Sequence, residues 1–301
     1  MKFRGHETFH IRQGWLFKGL KQIEKKEDIF LSKDPKPTDV LGMGNNMVKS
    51  LRYWLQAVGL TQEKQVKRKT VQKLTDLGEI IWDKDKYIEE LGTYWILHYE
   101  LVSNNQLAPT WNWFFNHFNI KEFNKEDFVN SLQSYVKFET ETKVAKSSLD
   151  SDFSCLVNFY VPRRVMHPDK ISPEDTLDCP FGQLDLVGLK DRKERVYIKK
   201  TPKVSNIPPK IALAILVKNL DGRKEVSINE ILTSCNNLGK VFSLNINTLN
   251  ALLDELKQLG YITINRTAGL DVVNLPNDYK YLTLIEQYYN DLNTGLRGEH
   301  A

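Results

Sequence analysis

Cysteine is scarce in this chain, with three in 301 residues, at positions 155, 179 and 235. None of them forms a CxxC pair, which excludes a disulfide-framed scaffold and a zinc ribbon. No apolar run approaches the roughly 18 residues needed to span a membrane. The opening Met1-Lys2-Phe3-Arg4-Gly5-His6 lacks the apolar stretch of a secretory signal. These absences predict a cytoplasmic protein with reduced thiols and no membrane partner. What the chain does have is core-forming material. Hydrophobic residues make up 41% and aromatics 11%, including six Trp, which excludes wholesale disorder. The length suits two or three modules better than one core.

Net charge is small overall but unevenly placed. The net charge is +4. Residues 1–80 hold twelve Lys and four Arg against four Asp and five Glu, a net +7, which leaves −3 for the other 221 residues. A basic excess confined to one end points to a polyanion partner for that end; an ordinary solvated surface is the alternative.

Hydrophobic periodicity divides the chain. A helix is predicted over about 13–26, followed by breaks at Asp34, Pro35 and Pro37. Met47, Leu51, Trp54, Leu55 and Val58 recur at helical spacing, predicting a second helix over 45–58 with Gly59 as its C-terminal cap. The basic, β-tolerant stretch 60–74 then reads as a hairpin. Helix, helix and basic hairpin make residues 1–80 a predicted winged helix-turn-helix. Residues 81–206 form a helical middle domain whose Trp95, Trp111, Trp113, Phe114, Phe115 and Phe118 suit a core. Asn124 starts a helix there, and a short hairpin lies over 183–199. Residues 207–277 predict a second winged helix of three helices and a two-stranded wing. Ser227 and Glu230 form a capping box, Asn245 or Asn247 opens the last helix, and Gly260 closes it. Residues 278–301 give a terminal helix and a polar tail. The predicted fold is therefore mainly α with small β-hairpins, with winged helix-turn-helix modules at both ends of a helical middle. The C-terminal winged helix carries little positive charge, so a protein contact or homodimer competes there with DNA reading.

His6-Glu7-Thr8-Phe9-His10 satisfies the HExxH pattern, in which two His four apart on a helix share zinc and the Glu activates a water. The motif stands very early in the chain, no third ligand follows at zincin spacing, and three fixed positions are a weak signal. The same His6 and Glu7 can be assigned as general base and metal ligand of a phosphodiester cleavage, with Arg12 or Lys18 facing the phosphate. The rival assignment makes the block structural, with Trp15 and Leu16 in the core.

Several blocks together resemble a bacterial family of domains of unknown function. They are Gly5-His6-Glu7-Thr8-Phe9 with Arg12, Trp15-Leu16 and Lys18-Gly19; Leu41-Gly42-Met43-Gly44-Asn45-Asn46-Met47-Val48 with Leu51-Arg52-Tyr53-Trp54; and Leu74-Thr75-Asp76-Leu77-Gly78. Leu91-Gly92-Thr93, Trp95-Ile96-Leu97-His98-Tyr99, Trp113-Phe114-Phe115-Asn116 and Glu174-Asp175-Thr176-Leu177-Asp178-Cys179-Pro180 continue the likeness. It spans about 3–190 in order. The family's members sit beside DNA phosphorothioation genes, and it includes the nickase component, SspB, of the Ssp single-strand phosphorothioation defence system. The resemblance implies DNA binding and DNA nicking with a divalent metal, Mg or Mn. It also implies company with a cysteine desulfurase, an ATPase and a sulfur-transfer enzyme.

The residues themselves nominate a DNA surface. Lys49 and Arg52 project from the polar side of the 45–58 helix, and Asn45 and Asn46 lie at its N-terminus, where backbone amides favour phosphate. Lys64, Lys67, Arg68 and Lys69 line the predicted wing. Three functions stay open: a double-stranded-DNA-binding protein of a phosphorothioation-linked defence system with nickase activity, a non-enzymatic scaffold or regulator, and a zinc metalloprotease.

Overall fold

Proline and glycine punctuate the N-terminal quarter of the chain. The computed structural model, which describes residues 1–139, 143–162, 178–267 and 270–294, follows that punctuation. Helix α1 (Trp15–Lys25) buries Trp15, Leu16, Leu20 and Ile23 and leaves Lys18, Lys21 and Lys25 exposed. Helix α2 (Pro37–Leu41) opens on a proline, whose missing N–H costs nothing in a first turn. A three-residue turn, Gly42-Met43-Gly44, leads to α3 (Asn45–Ala57), with Gly42 left-handed at φ 63°. Leu51, Trp54, Leu55 and Val58 are fully buried, and Gly59 ends the helix at φ 76°. Strands β1 (Thr61–Val66) and β2 (Lys69–Leu74) pair antiparallel, with Val66 opposite Lys69. Their two-residue connection, Lys67-Arg68, has φ of 47° and 65°. Two left-handed residues in a row form the turn whose twist matches a hairpin, here without the glycine that usually relieves it.

In the middle region, Thr75 caps α4 (Asp76–Lys84) by accepting the Gly78 N–H at 3.0 Å. Gly78 itself packs where a Cβ would lie 2.0 Å from the Leu60 carbonyl oxygen, so only glycine lets α4 close against the hairpin's start. Helix α5 (Leu91–Ser103) is buried on nearly every side, the mark of a central helix. Helix α6 (Pro109–Asn116) packs on it, α7 (Lys125–Glu139) and α8 (Lys146–Tyr160) pack on each other beside them, and the Trp and Phe residues of 111–118 are all core. Asn124 Oδ1 accepts the Glu126 and Asp127 N–H groups at 2.7 and 3.0 Å, opening α7. Between α6 and α7 lies β3 (Glu122–Phe123). It joins β4 (Val187–Asp191) and β5 (Val196–Lys199) in a sheet of order β3-β5-β4. The hairpin expected over 183–199 is thus present, and the two-residue β3 adds to it.

The C-terminal part comprises α9 (Pro209–Leu220), β6 (Glu225–Ser227), α10 (Ile228–Thr233), α11 (Leu238–Val241), α12 (Ile246–Gln258), β7 (Thr263–Thr267) and β8 (Leu270–Asn274). Its sheet order is β6-β8-β7. Three helices and two strands were expected, whereas four helices and three strands form. The extra strand buries Val226 opposite Val273 of β8, a pairing a three-residue strand reveals only once its partner is in place. The capping box is half made. Ser227 Oγ accepts the Glu230 N–H at 3.0 Å, but the Glu230 carboxylate takes Arg223 at 2.5 Å instead of the cap. Asn245 caps α12 through the Thr248 N–H, and Gly260 ends it at φ 74°.

Helix α13 (Tyr281–Asn293) packs on α9 and on α4, and the Tyr289 and Thr93 hydroxyls lie 2.6 Å apart. Buried side chains from all these segments join one hydrophobic cluster. The architecture is mainly α with three small antiparallel sheets. Among the described residues no helix is long and apolar enough to cross a membrane. Residues 174–177 of the family block, 268–269 of the expected last turn and the tail from 295 lie outside the described residues.

Candidate nucleic-acid interface and the buried histidine

The polar face of α3 and the hairpin beside it carry the residues nominated for DNA. Asn45 and Asn46 are exposed in the first turn of α3, whose N-cap, Gly44, has no side chain to occupy the amides. Lys49 follows one turn on and is also exposed. Lys64 on β1 and Lys67-Arg68 at the tip are exposed, and none of these four cations makes an ion pair among the described residues. Arg52 differs. Its Nε and Nη2 each donate to Glu63 Oε1 at 2.7 Å, and Gln56 Nε2 gives that oxygen a third bond at 2.9 Å. Arg52 therefore braces the hairpin against α3, with its charge already balanced. Lys69 lies 3.6 Å from Asp28 but keeps 74% of its side chain exposed, and a surface pair of that kind constrains it little. Glu63 escaped the sequence reading. The available signal was a single acid in an otherwise basic and neutral strand.

The segment Gly5–Phe9 does something else. Arg4, Glu7 and Thr8 take left-handed φ of 55°, 48° and 70°, so the HExxH residues lie in a tight coil and not on a helix. His6 is 1% exposed. Its Nδ1 accepts the Thr8 N–H at 3.1 Å, so Nε2 carries the proton and donates to Asp152 Oδ1 at 2.8 Å. Asp152, on α8, also accepts the Arg4 N–H at 2.9 Å and the Thr110 hydroxyl at 2.5 Å. The imidazole stacks on Trp54 at 6.0 Å and meets Trp111 edge-on at 5.8 Å. Gly5 permits this, since a Cβ there would lie 2.5 Å from the Tyr53 ring. The Phe9 carbonyl accepts Trp54 Nε1 at 2.8 Å. The block is a clasp joining the N-terminal segment to α3, α6 and α8.

This geometry corrects the metalloprotease reading. Zincin chemistry needs both His on one helix face with a nitrogen free for metal, but here there is no helix and both His6 nitrogens are engaged. Among the described residues no three His, Cys, Asp or Glu side chains group closely enough to hold a metal ion. The four residues nominated for phosphodiester chemistry divide by depth. His6 is interior, Glu7 and Arg12 are half-buried, and Lys18 is exposed. The Arg12 guanidinium lies 5.6 Å from the Trp15 ring centroid. Asp152 was missed by sequence reading, although an Asp between Leu149 and Phe153 on an apolar helix face was a usable signal.

Two further polar side chains serve the interior: His98, which joins the C-terminal part to the middle, and the half-buried Lys199 within the middle. His98 of α5 pairs its Nδ1 with the Tyr160 hydroxyl at 2.9 Å, and its Nε2 lies 2.8 Å from the Val241 carbonyl oxygen. Burial lowers its pKa to about 4. Lys199 of β5 donates to the Phe114 and Phe118 carbonyls at 2.5 Å each, closing the C-terminal end of α6. Burial, with Lys240 adding to it, brings its pKa down to about 7.

Comparison with known proteins follows the same outline. The family model of proteins of unknown function DUF4007 matches residues 3–289. A magnesium ion-bound SspB crystal structure superposes with a TM-score of 0.83 at 23% identity, covering 99% of this chain and 90% of that one. A second SspB crystal structure gives 0.82 at 23% identity with the same coverage. At that identity the likeness is one of fold. No curated protein matches the sequence.

Proposed function

This chain belongs to the DUF4007 family, and from that premise we propose that it is a double-stranded-DNA-binding protein of a phosphorothioation-linked defence system. In this reading α1, α3 and the β1–β2 hairpin act as a winged helix-turn-helix, and the chain works with other proteins of that system. The observation that carries it is the placement of Lys49, Lys64, Lys67 and Arg68. They are exposed and outside ion pairs among the described residues, on two adjoining elements beside the uncapped amides of α3. Open helix amides and unpaired cations are what phosphates engage. Arg52 acts indirectly, by fixing the hairpin's angle through Glu63. The test is fluorescence anisotropy with a labelled duplex across a salt series. Lys67→Glu with Arg68→Glu weakens binding and lowers the salt slope by about two. Unchanged affinity and slope would overturn the assignment.

A second reading, nicking activity, draws on the magnesium ion in one of the SspB structures. The described residues of this chain offer no cluster of three metal-ligating side chains, so the ion has no fitted site here and no cleavage step is derived. Supercoiled plasmid incubated with Mg²⁺ or Mn²⁺ tests the activity directly. In this reading Glu7→Gln abolishes nicking while leaving duplex affinity intact, and the absence of open circles under either metal leaves the non-enzymatic binding role. For the C-terminal part we propose a protein contact, such as a homodimer, because the exposed face of α12 presents Asn247, Ala251 and Asp254 and little positive charge.

A further inference from the structure

We propose a second nucleic-acid site, distinct from the hairpin, which binds a single unpaired strand on α1 and the segment after α4. Three aromatic rings meet there, Tyr87 exposed and Phe17 and Trp82 half-buried. Tyr87 is 59% exposed; its ring lies 4.8 Å from that of Phe17, which in turn stacks on Trp82 at 6.1 Å and 22°. Phe17 and Tyr87 stand outside the hydrophobic core cluster, so folding does not account for them. The indole is held in place by Trp82 Nε1 donating to Glu24 at 2.9 Å. An exposed tyrosine ring backed by two further rings offers a stacking face, and the charge around it says for what.

Cations surround the rings. Lys86 Nζ sits 4.2 Å from the Trp82 centroid and Lys21 Nζ 5.6 Å from that of Phe17. Arg12 lines one shallow groove with Phe17 and Tyr87. Along α1, Lys18, Lys21 and Lys25 recur at i, i+3 and i+7, all exposed and none in an ion pair among the described residues. Of the acids close by in sequence, Glu24 is engaged with Trp82 and Asp83 with Lys84 at 3.1 Å, while Glu79 and Glu89 are exposed. An exposed ring, Tyr87, backed by Phe17 and Trp82 and set beside a track of exposed cations for phosphates, is the arrangement that holds single strands with little regard to sequence; Lys21 and Lys86 swing off the Phe17 and Trp82 rings as a base arrives. A duplex cannot use it, because its bases present their faces to one another. A protein partner would be served by the rings alone and would be repelled or indifferent at the lysine track unless acidic.

The experiment measures anisotropy of labelled oligo-dT and oligo-U of about 12 nucleotides, a length within the usual single-strand site size. Wild type binds at least one of them and quenches tryptophan fluorescence. Tyr87→Ala and Phe17→Ala each lower that affinity about tenfold, as loss of one stacking ring does, while Tyr87→Phe retains it. Thermal melts accompany each variant, and Tyr87, being exposed, keeps the fold in any case. Lys67→Glu with Arg68→Glu loses duplex binding and keeps oligonucleotide binding, so failure at one site is separable from failure at the other. Oligo-dU, which differs from oligo-U only in the sugar, shows which sugar the site takes. No binding of either oligonucleotide by wild type, or undiminished binding by Tyr87→Ala, overturns the proposal.

Discussion

The two ends of the molecule share an order of elements, helix, turn, helix and hairpin, but differ in electrostatics and in how they are fastened to the middle. Residues 1–80 carry a net +7, whereas residues 207–277 hold seven Lys and Arg against six Asp and Glu. At the N-terminal hairpin the tip cations Lys67 and Arg68 stand free of ion pairs. At the C-terminal one Arg266 turns to Asp254 of α12 at 3.6 Å. The N-terminal segment is anchored by a carboxylate with three buried donors, Asp152. The buried anchors of the C-terminal part are neutral: His98 to Val241, and the Asn116 amide, which accepts the Asn236 N–H at 2.7 Å and donates to Asn236 Oδ1 at 2.9 Å; a more exposed ion pair, Lys218 with Glu100 at 2.6 Å, adds to them. Element order sets the shape of such a unit, and surface charge sets what the shape can hold.

The sharpest test of the anchors is their removal. Asp152→Ala leaves the His6 ring, the Thr110 hydroxyl and the Arg4 N–H unpaired in the interior, for an expected loss of about 3–5 kcal/mol in urea unfolding. Asn116→Ala breaks neutral bonds and costs about 1–3 kcal/mol. Equal losses would erase the distinction.

Acid should separate the two ends by nearly as much. The pKa of His98 is about 4 when folded, below its unfolded value, so the unfolded chain binds the proton first. Its contribution is present above pH 6.5 and is lost as pH falls towards 4, by up to about 3 kcal/mol at 1.36 kcal/mol per pH unit. His98→Gln should flatten that part of the stability profile, and an unaltered slope would assign the acid sensitivity elsewhere.

Charge reversal addresses the surfaces. The Lys67→Glu, Arg68→Glu pair is expected to cost duplex affinity about tenfold or more at low salt, whereas Arg266→Glu leaves it within about twofold. Parity between them would make the hairpins equivalent. The smallest effect lies in the turn itself. Lys67→Asn with Arg68→Gly relieves two left-handed residues and should stabilise the protein by about 0.5–1 kcal/mol in thermal melts. The same change weakens duplex binding, dissociating stability from function at one turn.

Much of this was legible in the sequence because it is local. The apolar stripe of α3 from Leu51 to Val58, the Thr61–Leu74 hairpin, the Asn124 and Asn245 caps and the glycine terminators each depend on neighbours within a few residues, and the aromatic run at 111–118 fell into the core as its spacing implied. Strand β6 and helix α11 were missed because three and four residues carry too little pattern without the partners that stabilise them. The site was less legible. Exposure of Lys49, Lys64, Lys67 and Arg68 followed from periodicity, but Arg52 was read as free because Glu63, its partner, is on another element.

By itself, then, the sequence determined the helical character, the hairpins, the basic N-terminal end and the likeness to its family. Those features are set by short-range propensity, charge count and block order. The tertiary structure alone decided the fate of Gly5-His6-Glu7-Thr8-Phe9. A pattern that resembles a metal site on a helix became a buried clasp, because Asp152, 146 residues away, reaches His6 only after α8 packs against α3 and α6. It likewise brought Phe17, Trp82 and Tyr87 together at the surface, since rings far apart in the chain become one face only when α1 and the segment after α4 are packed side by side.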